Sequence, residues 1–155
     1  MSKAVSRVAF ITVAIFPNAP VAFAQSASSK HVQATVSAKT TSASEREWSG
    51  SARLVVATGW HIYAEAPGTA GIATSLDWKL ENGWRAVRTE WPKPKEQVLG
   101  RDTTYEYTGT ISVPLKLQAD RGAAAATQTL KISYGVCRNI CIPESVTLKV
   151  RTARR

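Results

Sequence analysis

Residues 130–150 read LKISYGVCRNICIPESVTLKV. Apolar and polar residues alternate on both sides of a short turn, with Leu130, Ile132, Tyr134 and Val136 before it and Val146, Leu148 and Val150 after it. Period two over several residues is the pattern of a half-buried strand, so two strands are expected, over 130–136 and 145–150. Between them lie both cysteines of the chain, Cys137 and Cys141, separated by Arg138, Asn139 and Ile140, with Pro143 closing the segment. A turn between antiparallel strands brings two cysteines within the roughly 4.4–6.8 Å Cα separation that a disulfide spans. A cysteine pair at a hairpin end is therefore the candidate active site.

Upstream of the hairpin the same alternation recurs in short pieces. Val32, Ala34, Val36 and Ala38 suggest a loosely held first strand over 31–39, and 51–58 (SARLVVAT) has a continuous apolar centre. Gly59 turns the chain into WHIYAE at 60–65, and Pro67, Gly68 and Gly71 make 66–74 an irregular connection. Leu76, Trp78 and Leu80 alternate up to Asn82-Gly83, the strongest short turn signal present. Beyond it Trp84, Ala86 and Val87 are expected to face inward. Residues 91–100, WPKPKEQVLG, hold two prolines and three charges and read as a loop, not a strand. Residues 108–117 form a strand in which Pro114 implies an edge or a bulge. Residues 40–47 and 119–126 read as connections. Seven to nine short strands without helical periodicity specify an all-β, immunoglobulin-like antiparallel β-sandwich. The five tryptophans are expected to serve as packing.

The first residues have another character. Lys3 and Arg7 precede an apolar run, Val8–Phe16, and Ala22-Phe23-Ala24 ends the segment before Gln25. This is the layout of a secretory signal peptide over 1–24, with cleavage near Ala24/Gln25. Residues 25–30 then form a flexible leader, 48–151 the domain and 152–155 a basic tail. The basic n-region without acids points to bacterial export and to the periplasm. The formal charge is +9, and losing Lys3 and Arg7 leaves +7. Export and scattered basic residues argue against nucleic acid as a partner, so the charge serves solubility and acidic partners. No G-x-G phosphate loop or internal repeat occurs.

Three readings of Cys137 and Cys141 stay open from spacing. A structural disulfide is common in exported domains, but a five-residue ring contributes only about 2 kcal/mol in the chain-entropy model. A tight ring suits thiol–disulfide exchange. A two-thiolate Cu(I) site is the third reading, since soft thiolates select that ion; four-ligand zinc is poorly served by two cysteines and two histidines.

Several stretches carry a family resemblance: SYGVCRNICIPESVTLKV at 133–150, GWHIYAEAPGTAG at 59–71, SLDWKL at 75–80, WPKPK at 91–95 and TYEYTGTISVPL at 104–115. Together they resemble the N-terminal periplasmic domain of the thiol:disulfide interchange protein DsbD, in the variant found in suppressor-of-copper-sensitivity proteins. The resemblance implies an immunoglobulin-like domain whose cysteines alternate between dithiol and disulfide without a cofactor or metal, as a protein-disulfide reductase component. It implies that Cys141 forms the mixed disulfide and Cys137 resolves it. It also implies that His61 and Tyr63 line the site and that Trp91–Gly100, including Trp91, Pro92, Lys93, Pro94 and Lys95, caps it. Arg138 beside the pair offers a fixed positive charge to a thiolate. The implied partners are periplasmic thioredoxin-like or disulfide-isomerase proteins, with a separate membrane electron donor because the chain reads as a stand-alone module. The other reading is a copper-handling or immunoglobulin-like binding module with a structural disulfide.

Overall fold

The computed structural model describes residues 24–39 and 46–152. The expected signal segment up to residue 23, most of the 40–47 connection and the last three residues lie outside the described residues. Eleven strands form two antiparallel sheets and no helix occurs among the described residues. The first sheet runs β1 (Ala24–Ser28), β2 (Val32–Ala38), β3 (Glu47–Val56), β9 (Thr110–Ala119) and β6 (Trp84–Val87). The second runs β11 (Cys141–Thr152), β10 (Ala126–Cys137), β4 (His61–Gly68), β8 (Asp102–Thr108) and β7 (Lys95–Leu99), with β5 (Ser75–Lys79) also paired to β10. This is the sandwich expected from the alternation.

The alternating residues meet between the sheets. Val32, Ala34, Val36, Trp48, Leu54, Val113, Leu115 and Leu117 come from the first sheet. Ile62, Leu130, Ile132, Tyr134, Val136, Val146, Leu148 and Val150 come from the second. Burying this much apolar surface is the main stabilising term. Two polar side chains, Gln128 and Thr152, are enclosed with it. Gln128 is fully buried, and its amide accepts from the Glu81 N–H at 2.8 Å and donates to Thr152 Oγ1 at 3.1 Å. Thr152, expected in the tail, is thereby held as the last rung of β11.

Several elements differ from expectation, each for a local reason. Residues 25–30 are not a free leader, because β1 pairs with β2 from Ala24↔Ser37 to Ser28↔Gln33 and Gln25 Oε1 accepts from the Lys149 N–H at 2.8 Å. The prolines confine irregularity to 91–94; from Lys95 onward nothing blocks pairing, and β7 forms a ladder with β8. Asn82 and Gly83 both take positive φ, 58° and 76°, as the turn requires. That turn carries the chain from one sheet to the other instead of closing a hairpin. On the four-residue β6, Trp84 is buried but Ala86 is exposed and Val87 only half-buried, because this short strand forms the sheet's rim. Pro114 sits inside β9, but β6 borders β9 only from Lys116 to Ala119. The Pro114 carbonyl turns outward to accept from Thr89 Oγ1, and the missing N–H lies on that same open side.

The two sheets are also tied by a polar cluster. Glu144 of β11 accepts from Ser29 Oγ at 2.5 Å and from the His31 N–H at 3.2 Å, and its Oε1 is 2.5 Å from His31 Nδ1. The Tyr134 hydroxyl lies 2.8 Å from Ser29 Oγ, and the His31 ring packs 4.1 Å from that of Trp60. Burial pushes the Glu144 carboxyl up, but hydrogen bonds from Ser29 and His31 outweigh it and hold the group below its ordinary value. The stability from this cluster is therefore full above the unfolded carboxyl value of 4.5 and is lost as pH falls through the lower folded value. Glu144→Gln is expected to cost roughly 1–3 kcal/mol at neutral pH and to flatten the fall in thermal midpoint between about pH 5 and pH 3. Thermal unfolding across that range checks this; equal acid slopes in both proteins contradict it.

Candidate functional site

The cysteines are the final rung of the longest ladder in the molecule. β10 and β11 pair without a break from Ala126↔Thr152 to Cys137↔Cys141. Arg138, Asn139 and Ile140 close the loop, and the Arg138 N–H donates to the Ile140 carbonyl at 3.0 Å. The strands thus reach the cysteines themselves, farther than the alternation alone indicates. Directly opposed residues in an antiparallel pair have Cα atoms about 4.5–5.5 Å apart. The register alone therefore brings the sulfurs together, and Cys137 and Cys141 form a disulfide with Cα atoms 4.1 Å apart.

The two sulfurs have unlike surroundings. Cys137 is 2% exposed, whereas Cys141 is exposed. Sheet order explains the difference. β10 is an interior strand with β4 on its far side, where His61 stands opposite Cys137. β11 is the outer strand, so Cys141 has a neighbour on one side only.

Register also sorts the surrounding side chains by face, since opposed residues share a face and successive residues alternate. Ile62, Val136 and Tyr107 point to the core. Cys137, Cys141, His61 and Tyr63 point the other way, and the His61 and Tyr63 rings meet edge to face at 5.2 Å. These expected site residues come together. Arg138 is exposed in the turn beside them. Burial pushes the Tyr63 hydroxyl upward, with the Glu106 carboxylate adding to the shift.

The expected cap divides between the two faces of the second sheet, with Lys95 and Gln97 on the face shared by Glu106, His61 and the cysteines and Trp91 and Pro92 on the other. Trp91 stacks on Tyr107 with ring centres 6.3 Å apart, and the Tyr107 hydroxyl donates to the Pro92 carbonyl at 2.6 Å. Tyr107 faces the core, so Trp91 and Pro92 close the sandwich on the opposite face from the cysteines. Lys93 and Lys95 are exposed and Pro94 half-buried, with Lys95 opposite Glu106 in β8. Residues 66–68, expected in the irregular connection, extend β4 to the Gly68↔Thr104 pair, and the remaining 69–74 connection also reaches the cysteine face. A Cβ on Gly135 would come within 2.5 Å of the Ile72 Cβ, so Ile72 rests on bare backbone two residues before Cys137. A Cβ on Gly71, at φ 103°, would come within 2.7 Å of the Tyr63 ring. Glycine inside a strand signals such an approach, and Gly135 in SYGVC is the residue from which this cover was readable. Ile72 and Ile140 remain 40% and 66% exposed beside the pair.

Comparison with known proteins bears on this arrangement. The family model described as thiol:disulfide interchange protein DsbD, N-terminal, matches residues 28–152. The chain belongs to the DsbD N-terminal domain family. Among solved structures it is similar to the N-terminal periplasmic domain of ScsB from Proteus mirabilis, with a TM-score of 0.62 and 20% identity. The likeness covers 79% of this chain and 47% of that one, so the chain spans about half the length of the neighbour. At that identity the likeness establishes the fold. No curated protein matches the chain. Among the described residues no helix is long and apolar enough to cross a membrane, and no three of His, Cys, Asp and Glu converge on a metal site. The thiolates of the opened pair are what a soft ion would find here.

Gly135→Ala is expected to force Ile72 off the sheet and to destabilise the domain by roughly 1–3 kcal/mol, the usual penalty of overpacking. Adding Ile72→Ala should recover part of that loss. Chemical denaturation of the single and double variants checks this; additive losses contradict the contact.

Proposed function

We propose that this DsbD N-terminal domain carries reducing equivalents between a thioredoxin-like donor and thiol–disulfide proteins of the periplasm through Cys137 and Cys141. The observation that carries this reading is the pairing of one exposed and one buried sulfur on a single rung. A reductant's thiolate attacks the exposed Cys141 sulfur in line, the disulfide breaks, and Cys137 leaves with the electron pair. A second thiol of the reductant then releases Cys141. In the onward step Cys141 attacks the acceptor's disulfide, and Cys137 resolves the mixed disulfide by expelling the reduced acceptor. His61 and Tyr63 line the buried sulfur, and Arg138 offers positive charge to a thiolate at the turn. Ile72 and Ile140 give the partner an apolar rim. A membrane-bound protein is the source of electrons, and export by the segment over 1–24 brings the domain to that compartment.

A structural staple fits less well. The five-residue ring contributes only about 2 kcal/mol in the entropy model, and it links strands already paired over twelve rungs.

The test is mixed-disulfide trapping in the periplasmic fraction. Cys137→Ala, which leaves the exposed sulfur unresolved, should accumulate an adduct through Cys141 with a thioredoxin-like protein, on a chain beginning near Gln25. Cys141→Ala should trap little. The opposite pattern reverses the two roles. No adduct with either variant, together with tight Cu(I) binding by the reduced pair, selects the copper-handling reading.

A further inference from the structure

The cysteine face of the second sheet also holds a carboxylate that sequence reading passes over. Glu106 of β8 is 8% exposed and stands opposite Tyr63. Its Oε2 lies 3.5 Å from His61 Nε2, and its Oε1 accepts from Gln97 Nε2 at 3.1 Å. Carboxylates are seldom buried this far without a partner, because leaving water costs them several kcal/mol. Glu106 does not stabilise the core, since its neighbour Tyr107 takes the inward direction. Its ionic partner is His61, and His61 stands opposite Cys137, which sets their Cβ atoms about 4.5–5.5 Å apart. With Nε2 turned to Glu106, the other ring nitrogen of His61 has no hydrogen-bond partner among the described residues. Glu106, His61 and Cys137 thus form a line from a buried carboxylate to the buried sulfur.

We propose that Glu106 is a positioning residue for thiol–disulfide exchange, holding His61 as the proton carrier for the sulfur of Cys137. The inference rests on the carrier reading above and adds its proton path. When a reductant's thiolate bonds to the Cys141 sulfur, the Cys137–Cys141 bond breaks and its electron pair stays on Cys137. The His61 imidazolium gives that sulfur its proton and becomes neutral. In the resolving direction neutral His61 takes the proton from the Cys137 thiol as that sulfur attacks the mixed disulfide and expels the partner's thiolate. Gln97 fixes the carboxylate from the other side. The remaining titratable or charged groups near this path are Lys95 opposite Glu106, Tyr63 beside His61 and Arg138 in the turn. Ile72, from the covering segment, is apolar.

The experiment is single-turnover reduction of the oxidised protein by dithiothreitol between about pH 5 and pH 9, with rates corrected for the reagent's thiolate fraction. Wild type should show a bend, with assistance present at low pH and lost as the imidazolium deprotonates. Glu106→Gln keeps an acceptor oxygen for Gln97 but removes the carboxylate that faces His61 Nε2. Its bend should shrink, with a several-fold slower low-pH limb. His61→Phe should abolish the bend and slow the low-pH limb on the order of 10-fold, below the usual range for a positioned acid–base group because a thiolate already leaves well. A merely structural role for Glu106 lowers the thermal midpoint and leaves the bend in place, which overturns the inference, as does a wild-type curve without a bend. An undiminished bend in a protein that still traps its partner removes the role of Glu106 alone. A diminished bend in a protein that traps nothing supports the proton path and removes the carrier reading alone.

Discussion

The uninterrupted pairing of β10 with β11 is the constraint on which the rest of the molecule depends. One ladder supplies seven buried apolar side chains to the core, from Leu130 to Val136 and from Val146 to Val150. The same ladder delivers two cysteines to directly opposed positions at its end. Its register is fixed by the core, because a slip of one residue would turn the whole apolar set to the outside. The disulfide therefore needs no dedicated scaffold. The packing that stabilises the sandwich also sets the distance between the sulfurs.

The difference between the two sulfurs follows from their places in the sheet. A rung that joins an interior strand to an edge strand must enclose one partner more than the other. The 69–74 connection increases the contrast by laying Ile72 over Gly135, and β4 adds His61 and Tyr63 on the same side. Glu144 anchors the outer strand to the first sheet through Ser29 and His31. The cysteine end of the hairpin is thus held on several sides while Cys141 stays exposed.

Much of this was legible in the sequence because it rests on period two. The apolar positions of β2, β9, β10 and β11 are where alternation puts them, and the Asn82-Gly83 turn has the backbone its residues demand. Pairings between distant strands leave a fainter trace. The polar residues of β1 carry no apolar stripe; that strand is held by its ladder to β2 and by Gln25. The prolines of WPKPK mark irregular backbone correctly, but proline content does not say which face the segment covers. Trp91 stacks on core-facing Tyr107, while Lys95 and Gln97 turn to the face of Glu106. On the cysteine face, the pair was legible from the hairpin and the resemblance placed His61 and Tyr63 beside it, whereas Glu106 left no signal. A single acid between Tyr105 and Tyr107 looks like the solvated face of a strand until β4 and β7 are paired on either side of it.

The central claim is that this rung is a working dithiol–disulfide couple and not a staple, and its equilibrium is the most direct evidence. Equilibrating the pair against glutathione or a thioredoxin of known poise gives its reduction potential. A carrier between periplasmic thiol proteins is expected above about −300 mV, within reach of such couples. A value well below about −300 mV, where structural disulfides lie, would contradict the account.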